Sequence, residues 1–492
     1  MGKSIIIIGG GIAGLSAGCY GQMNSYKTTI FEMSDKAGGV ATTWKRNGYT
    51  IDGAMNWLGG TKPGTALYNL WEELGAAPDW KIHYYECDSV SEDKDGKIFT
   101  VYCDADRFEK YLLEMAPEDS DVIKEFIQAI RTDTQYDISV EEPPEPHNES
   151  DKTKIGQNPP LIQSKSKWEG VTFQDFSRRL KNPVLRSFFE KSGTQPLKML
   201  FRELGVHNSK SAGYVIGGAR ALVKPIEKRF RKLGGEIRFK SKVVKILVAN
   251  DKAVGIRLAD GREYHADYII SAGDGHTVIF DLLGGKYVND AIKKMYERPM
   301  LFSSVYVGLG IKRTFDDVPS SVSGYNFLLN QPINIAGRER KNITMLAYNF
   351  DPTLAPAGKT VIVVSYPSNF DYWHELRQDR ARYQAKKERI AREVIAGLEQ
   401  KFPGISSQVE MHDVATPVTW ERYTGNWRGA YVGWMRGAFD NISKTLPGLD
   451  NFFMAGQWVN AGGGMPEAAK SGRHTIQFIC RKDNRQFVTT KP

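Results

Sequence analysis

The chain has 492 residues, of which 41% are hydrophobic and 25% charged, so it can bury a large core and should form about two or three domains. No stretch approaches the roughly 20 apolar residues of a membrane-spanning helix. No signal peptide is expected, because the first apolar run gives way at once to glycines. The net charge of +9 comes from basic residues interleaved with acids, which argues against nucleic-acid binding. The four cysteines lack metal-ligand spacing, which argues against a disulfide framework and predicts a cytoplasmic setting.

A glycine-rich loop follows the first predicted strand. The β-branched run at residues 3–8 is typical of a buried strand of a parallel sheet, and it leads into Gly9, Gly11 and Gly14. At this spacing the first glycine permits a tight turn, the second lets backbone amides approach a pyrophosphate, and the third allows close packing of helix on strand. The pattern predicts a Rossmann-like unit that binds a dinucleotide.

The second predicted strand, over residues 28–32, strengthens this interpretation. It ends at Glu32, where a carboxylate can accept hydrogen bonds from the ribose hydroxyls of a dinucleotide. A second fingerprint is incomplete, because Gly217 and Gly218 lack the third spacing, so a separate NADPH domain is not expected.

An amphipathic helix with a cluster of basic side chains is predicted next. It could face anionic lipid headgroups, or it could be an ordinary surface helix that closes a domain. Its basic residues are Lys224, Lys228, Arg229, Arg231 and Lys232.

Four successive strands are predicted after this helix. They cover residues 234–237, 243–246, 254–258 and 266–272, with turns at 250–251 and 260–261. The last run has the composition of a buried strand. We therefore expect a meander that returns to the parallel sheet.

The C-terminal part carries another strand, loop and helix. Residues 451–456 are predicted as a short strand, residues 457–464 as a glycine-rich loop, and Met465, Pro466 and Glu467 open a helix that runs to about residue 480. The positive end of that helix would stabilise a nearby anion. In a dinucleotide oxidoreductase this anion would be the reduced isoalloxazine ring.

Taken together, the chain resembles the FAD-dependent phytoene desaturase and retinol saturase group, within the amine-oxidase-like flavoprotein superfamily. The resemblance covers nearly the whole chain. It is carried by residues 9–14 with Glu32, Gly38 and Gly39, residues 49–60, Gly217 and Gly218, the four-strand stretch, residues 351–358, Thr416 and Pro417, and residues 456–472.

An α/β fold with two domains is expected from the positions of the cofactor motifs. A discontinuous Rossmann-like FAD-binding domain would comprise residues 1–75, 206–283 and 441–492. An interleaved α+β substrate domain would comprise residues 76–205 and 284–440.

The resemblance implies FAD as the cofactor and a set of residues that bind it. Val244 would contact the adenine side through its backbone. Val40 stands where many relatives carry arginine and Gln457 where some carry an acid, and both departures could weaken FAD retention. The full set is Gly9, Gly11, Ala13, Gly14, Glu32, Gly38, Gly39, Val40, Val244, Gly456, Gln457, Met465 and Pro466.

The substrate domain is less strongly patterned. The sequence predicts helical structure over 107–131, a polar surface loop or lid over 141–167, strands at 302–311 and 360–366, and a helix over 383–402. A group of apolar residues could form a tunnel wall, a shallow membrane contact or ordinary core. These are Phe188, Phe189, Leu197, Met199, Leu200 and Phe201.

Catalytic residues are poorly marked, because no nucleophilic triad or metal-ligand spacing is visible, and no metal site is expected. Bound flavin would carry the chemistry. Asn56 and Trp57 are candidates to line the reaction site, since the resemblance brings their segment to the flavin. His276 is a candidate for proton transfer and Glu467 for a general acid. Packing by Trp57, helix capping by His276 and a helix-dipole role for Glu467 are the structural alternatives.

We therefore expect an FAD-dependent oxidoreductase that desaturates or saturates carbon–carbon bonds of a carotenoid, isoprenoid, retinoid or fatty-acyl substrate. Its partners would be this substrate, an unidentified electron donor or acceptor and an anionic membrane surface. Two alternatives stay open: a flavin amine oxidase, and a non-catalytic prenyl-lipid-binding protein of the GDP-dissociation-inhibitor type. The intact Gly9, Gly11, Gly14 and Glu32 argue against the second.

Overall fold

The fold is given by a computed structural model of the chain. It describes residues 2–135, 139–140, 167–297, 301–316, 318, 321–434, 443–459 and 463–492. The predicted surface loop over 141–167 lies outside the described residues except for Lys167, and so do residues 460–462 of the predicted glycine-rich loop.

The secondary structure alternates short strands with helices along the chain. The strands are β1 (Ser4–Ile8), β2 (Lys27–Phe31), β3 (Thr43–Arg46), β4 (Tyr49–Asp52), β5 (Leu58–Gly59), β6 (Ile82–His83), β7 (Cys87–Glu92), β8 (Ile98–Tyr102), β9 (Ala212–Val215), β10 (Glu236–Arg238), β11 (Val243–Ala249), β12 (Lys252–Leu258), β13 (Glu263–His265), β14 (Tyr268–Ser271), β15 (Ser304–Ile311), β16 (Val322–Ile335), β17 (Arg338–Ala347), β18 (Thr360–Pro367), β19 (Val409–Ala415) and β20 (Phe452–Met454). The α-helices are α1 (Ile12–Met23), α2 (Ala66–Glu73), α3 (Ala105–Met115), α4 (Ser120–Asp133), α5 (Phe173–Ser177), α6 (Pro183–Glu190), α7 (Lys198–Asn208), α8 (Gly218–Lys232), α9 (Asp290–Glu297), α10 (Phe370–Leu376), α11 (Arg380–Lys401), α12 (Pro417–Thr424) and α13 (Met465–Lys482).

A parallel five-stranded sheet forms the dinucleotide-binding part, with the strand order β10-β2-β1-β14-β20. The central strand β1 is buried on both faces, which explains its continuous isoleucine run. Helix α1 follows β1 and packs against α13 from the far end of the chain. The predicted Rossmann-like α/β fold is confirmed, and distant parts of the chain build its sheet.

The predicted four-strand meander differs in detail from the structure. Strand β10 joins the parallel sheet, β11, β12 and β13 form an antiparallel sheet of their own, and β14 returns to the parallel sheet. Strand β13 escaped prediction because it is short and lacks a buried residue. Both predicted turns are present: Asn250 and Asp251 have positive φ angles, and Gly261 ends the second turn.

A mixed seven-stranded sheet forms the second layer, with the order β19-β15-β18-β17-β16-β7-β8. All of its pairs are antiparallel except β16 with β7. Helix α11 packs on β16 and β19. The predicted strands at 302–311 and 360–366 and the predicted helix at 383–402 correspond to β15, β18 and α11. The predicted division of the chain into two domains stays a prediction.

Helices α3 to α7 form an aromatic cluster beside the second sheet, and α3 and α4 account for the predicted helical structure at 107–131. Phe126 contacts the rings of Phe176, Phe189 and Phe201 in this cluster, with centroid separations of 5.2–5.4 Å. Such pairs stabilise a core beyond simple burial of area.

The basic helix α8 is partly a core element. Arg229 is only 7% exposed and donates hydrogen bonds to the backbone oxygens of Glu73 and Thr490, while Lys224, Lys228 and Lys232 are exposed. Across the part of the chain that the structure describes, no helix combines the length and apolar character needed to span a membrane.

Candidate functional site

A cavity of about 1800 Å³ extends from the carboxyl ends of β1, β2 and β14 to the face of the seven-stranded sheet. Ligands of open α/β sheets bind at this end of the strands. Typical small-molecule pockets have volumes of about 300–1,000 Å³, so this cavity has room for a large cofactor and a second molecule.

The glycine loop after β1 forms one end of the cavity. Gly9 has a φ of +99° and donates a backbone hydrogen bond to the Phe31 oxygen at 2.9 Å. A Cβ at Gly14 would lie 2.0 Å from the Gly9 oxygen, so only glycine lets α1 approach the turn this closely. Gly11 caps α1 without a side-chain hydrogen bond. The first amides of α1 can therefore bind a pyrophosphate.

Gly38, Gly39 and Val40 form the wall next to this loop. The Gly38 amide donates to the Gly10 oxygen at 2.9 Å, which holds the two loops together by backbone contacts. Ala13, Gly39 and Val40 also line the cavity. Val40 places an aliphatic side chain where a relative with arginine would place a cation.

Glu32 lies at the end of β2 and is only 6% exposed. Its two oxygens accept backbone hydrogen bonds from Gly10 at 2.6 Å and Ser34 at 2.8 Å. These bonds fix the carboxylate at the cavity wall, and the remaining lone pairs can accept from ribose hydroxyls. The geometry suits the role predicted for Glu32.

Val244 does not line the cavity, whereas its neighbours Ser241, Lys242 and Val243 do. A bulge in β11 at this point leaves Val243 buried and Val244 41% exposed. The structure therefore places Val243 rather than Val244 at the cavity wall, and the sequence does not reveal which valine the bulge turns inward. The adenine contact itself stays a prediction.

The C-terminal loop closes the opposite side of the cradle. The Gly456 amide donates to Ser471 Oγ at 2.9 Å, and Gly456 and Gln457 line the cavity. The amide nitrogen Nε2 of Gln457 is buried and lacks a hydrogen-bond partner among the described residues. A buried donor of this kind requires an acceptor such as the polar edge of a flavin.

Helix α13 begins at this loop with its N-terminus towards the cavity. Its cap residue, Gly464, makes no side-chain cap, and Met465, Pro466 and Glu467 line the cavity. Glu467 is paired with Lys470 at 2.9 Å, and both side chains are mostly buried. The amides of the first turn can stabilise a negatively charged group. These residues fit FAD: a pyrophosphate cradle, a ribose carboxylate and unpaired donors follow one another along one cavity.

The far half of the cavity, beside the seven-stranded sheet, is lined by aromatic and aliphatic side chains and also by polar ones such as Ser304 and Thr344. Met199 and Phe201 from the predicted tunnel group line it, whereas Phe189 and Leu197 are core residues with at most 2% exposure. Among the apolar residues that line this half are Trp57, Phe201, Tyr306, Leu346, Val363 and Trp420.

The predicted catalytic candidates separate into two groups. Asn56, Trp57 and Glu467 line the cavity. His276 lies outside it, where its ring stacks on Trp427 with a centroid separation of 4.5 Å and burial lowers its pKa. It makes no side-chain cap to the following helix. His276 was proposed because it follows a strand of the cofactor domain, but that position does not place its side chain at the cavity.

Glu203 lines the cavity next to Asp88, and no sequence pattern had singled out either carboxyl group. Burial raises the pKa of Glu203 to about 7 and the pKa of Asp88 to about 6, and it lowers the pKa of the nearby His207 to about 4. Glu203 and His207 are four residues apart on one face of α7. That spacing was the available signal, but Asp88 comes from a distant strand.

Comparison with known proteins agrees with this geometry. The chain matches the model of the flavin-containing amine oxidoreductase family over residues 12–477. The chain belongs to this family. A flavin held by a dinucleotide cradle is FAD, so the predicted cofactor and the resemblance to the superfamily are confirmed.

Individual relatives are distant. The prolycopene isomerase of Arabidopsis thaliana is 28% identical over 53% of this chain, and the matched part spans less than half of the relative, 44% of its length. The neurosporene-forming phytoene desaturase of Cereibacter sphaeroides is 25% identical over 94% of this chain and 91% of its own. An oxidoreductase from Methanosarcina mazei shares the fold, with a TM-score of 0.62 and 17% identity over 96% of this chain and 100% of the other.

Proposed function

We propose that the protein is an FAD-dependent oxidoreductase that desaturates or saturates carbon–carbon bonds of a lipophilic substrate, such as a carotenoid, isoprenoid, retinoid or fatty-acyl chain. The observation that carries the proposal is that one cavity serves both parts of the site. Its cradle for FAD continues into an apolar wall that includes Trp57, Leu346 and Trp420. An apolar chain that enters this half would lose water from most of its surface, which favours binding.

The relatives support the same class of substrate. Phytoene desaturase and prolycopene isomerase are named after polyenes, and the desaturase aligns with 94% of this chain. A long polyene needs a long, apolar site, and the cavity volume of about 1800 Å³ is compatible with one beside the cofactor.

The positions of the residues indicate which of them would hold FAD and which would orient the substrate. The loop at Gly9 and Gly11, the Glu32 carboxylate and the loop at Gln457 would hold FAD. Bound FAD supplies the exchange of a hydride with a substrate carbon. The chain's own contribution is to orient the substrate against apolar side chains and to exclude water. Trp57 and Tyr306 lie in this part of the wall.

We further propose that residues 1–75, 206–283 and 441–492 form the FAD-binding domain and that the protein works at a cytoplasmic membrane surface. Met199, Phe302 and Tyr431 both line the cavity and are 38–49% exposed, so they lie where the cavity opens. Exposed apolar side chains at an entrance suit the uptake of substrate from lipid. Cosedimentation with anionic and neutral vesicles measures this contact.

The test is anaerobic mixing of the FAD-loaded protein with a panel of polyenes and their more saturated counterparts, followed by the visible absorbance of the flavin. Oxidised protein should bleach with a desaturable lipid, or reduced protein should reoxidise with a saturable one. Two other results would point to different functions. Peroxide release on addition of amines would indicate an amine oxidase, and a colourless protein that cannot be reconstituted with FAD would indicate a lipid carrier.

A further inference from the structure

We propose that Glu203 is the group that exchanges a proton with the substrate, with Asp88 and His207 as its close neighbours. This inference rests on the proposed function and assigns a catalytic residue to it. Glu203 lies on α7 and lines the cavity, whereas Asp88 on β7 and His207 on α7 stand behind it.

The three groups are close to one another. One carboxylate oxygen of Asp88, one of Glu203 and a ring nitrogen of His207 all lie within 4.8 Å of one another. Two buried carboxylates at such a separation are costly to ionise together, so the pair tends to keep one proton. Because only Glu203 lines the cavity, this is the carboxyl that can present the proton to a ligand.

His207 contributes no positive charge next to the Asp88 and Glu203 carboxyl groups. It is 5% exposed, and its Nε2 is buried without a hydrogen-bond partner among the described residues. Its ring packs edge-on against Trp57 with a centroid separation of 5.3 Å. Burial lowers its pKa to about 4, so the ring is neutral near neutral pH. A neutral imidazole adds no positive charge that would draw the proton off the carboxyl pair.

The remaining neighbours do not neutralise the pair either. Within the part of the chain that the structure describes, neither Asp88 nor Glu203 forms an ion pair with lysine or arginine. Cys103 is buried close to both carboxylates, and Asp133 packs against Gly205 on the same helix. Burial raises the pKa of Glu203, and a side-chain hydrogen bond with Trp57 lowers it by a smaller amount.

The proton balance is simple in both directions. In saturation, the O–H bond of the Glu203 carboxyl breaks, and the electron pair of the substrate double bond forms a C–H bond with that proton. The adjacent carbon would receive a hydride, which FAD would supply when bound in its reduced form. In desaturation, one substrate carbon would lose a hydride, which bound oxidised FAD would accept. The neighbouring C–H bond would break, its proton would pass to the Glu203 carboxylate, and the electron pair of that bond would become the double bond.

The variant Glu203→Gln tests this assignment in the FAD-loaded protein. Glutamine keeps the size of Glu203 but cannot exchange the proton. The matched control is Glu190→Gln, an exposed carboxylate on α6. Unchanged flavin absorbance per protein shows that each variant is folded and retains its cofactor.

Infrared difference spectra across pH give a readout that does not depend on turnover. A carboxylic-acid band that titrates near pH 7 and disappears in Glu203→Gln, but persists in the control, supports the proposal even where no tested lipid reacts. Absence of such a band from the unmodified protein would overturn it. The proposed function could fail separately, through a lack of any flavin change with lipid.

Turnover and metal content complete the test. With a reactive lipid, Glu203→Gln should lower the rate by about 100-fold or more, as expected for loss of a general acid or base. The unmodified protein should lose activity above pH 7 when it saturates and below pH 7 when it desaturates, and Glu203→Gln should abolish this inflection. An unaltered rate and pH profile would contradict the assignment. So would a stoichiometric divalent metal that is lost in Glu203→Gln, because the three groups would then be ligands.

Discussion

The two ends of the cavity are built in different ways. The FAD cradle uses backbone groups of short, local motifs, in which Gly9 has a φ of +99° and a Cβ at Gly14 would lie 2.0 Å from the Gly9 oxygen. The substrate end uses side chains from separate elements, such as Trp57, Leu346 and Trp420. A backbone cradle tolerates little change, whereas a side-chain wall can be altered residue by residue. Cofactor binding and substrate choice should therefore respond separately to mutation.

The largest effect is expected at Gly14. In Gly14→Ala the new Cβ would lie 2.0 Å from the Gly9 oxygen, a backbone atom that cannot move without opening the turn. We expect loss of copurifying flavin and a decrease of about 3 kcal/mol in the free energy of unfolding. Absorbance spectra and urea denaturation measure these two quantities.

The matched control is Gly324→Ala at the substrate end. Its Cβ would meet only Thr344 Cγ2, at an ordinary 3.6 Å. This variant should keep its flavin. Loss of flavin from both variants would show that the two ends are not independent.

A smaller effect on the cradle is expected from Glu32→Ala. The change removes an acceptor from the backbone amides of Gly10 and Ser34 and from the ribose. Loss of a charged acceptor of this kind costs about 2 kcal/mol, which corresponds to an FAD dissociation constant raised by between 10-fold and 100-fold. Titration of the apoprotein with FAD measures the constant, and an unchanged value would contradict the role of Glu32.

Asp52 is a fully buried carboxyl group that should make stability depend on pH. It accepts backbone hydrogen bonds from Ala54, Met55 and Ala219, and burial raises its pKa from 3.8 to about 6. The folded state thus holds this proton more tightly than the unfolded chain. Its contribution to the free energy of unfolding is present below pH 4 and falls as the pH rises to about 6, by at most about 1.4 kcal/mol per pH unit.

Asp52→Asn should remove that part of the slope. Urea denaturation of both proteins at several pH values between 4 and 7 gives the comparison, with the difference between them as the quantity of interest. Parallel curves would show that Asp52 has the same pKa in the folded and unfolded states.

The smallest effect on folding is expected at the substrate wall. Trp420 packs against Trp44 at 5.9 Å, and its indole N–H is buried without a partner in the described part of the chain. Trp420→Phe should therefore cost only about 1 kcal/mol of stability. Flavin content should stay the same, while the KM for a lipid substrate should change. A loss of flavin would place Trp420 in the cofactor cradle instead.

The same contrast explains what could be predicted from the sequence. The strand–loop–helix at Gly9 follows from local spacing and agrees with the structure, and the same spacing places Glu32 at the cavity wall, where its ribose role stays a prediction. Val243 rather than Val244 faces the cavity because of a bulge in β11, and that bulge depends on how β11 pairs with β12. The juxtaposition of Asp88 with Glu203 depends on tertiary packing between β7 and α7. Local patterns hold no information about such contacts.

The most direct test of the account is a single-turnover experiment without oxygen. Protein with a known amount of oxidised FAD is mixed with excess polyene substrate, and the lipid is analysed by mass spectrometry while the flavin absorbance is recorded. The account predicts loss of two hydrogens from one lipid molecule for each flavin that bleaches, or the reverse stoichiometry with reduced protein. Unchanged flavin and unchanged lipid across the whole panel, with bleaching by amines instead, would contradict it.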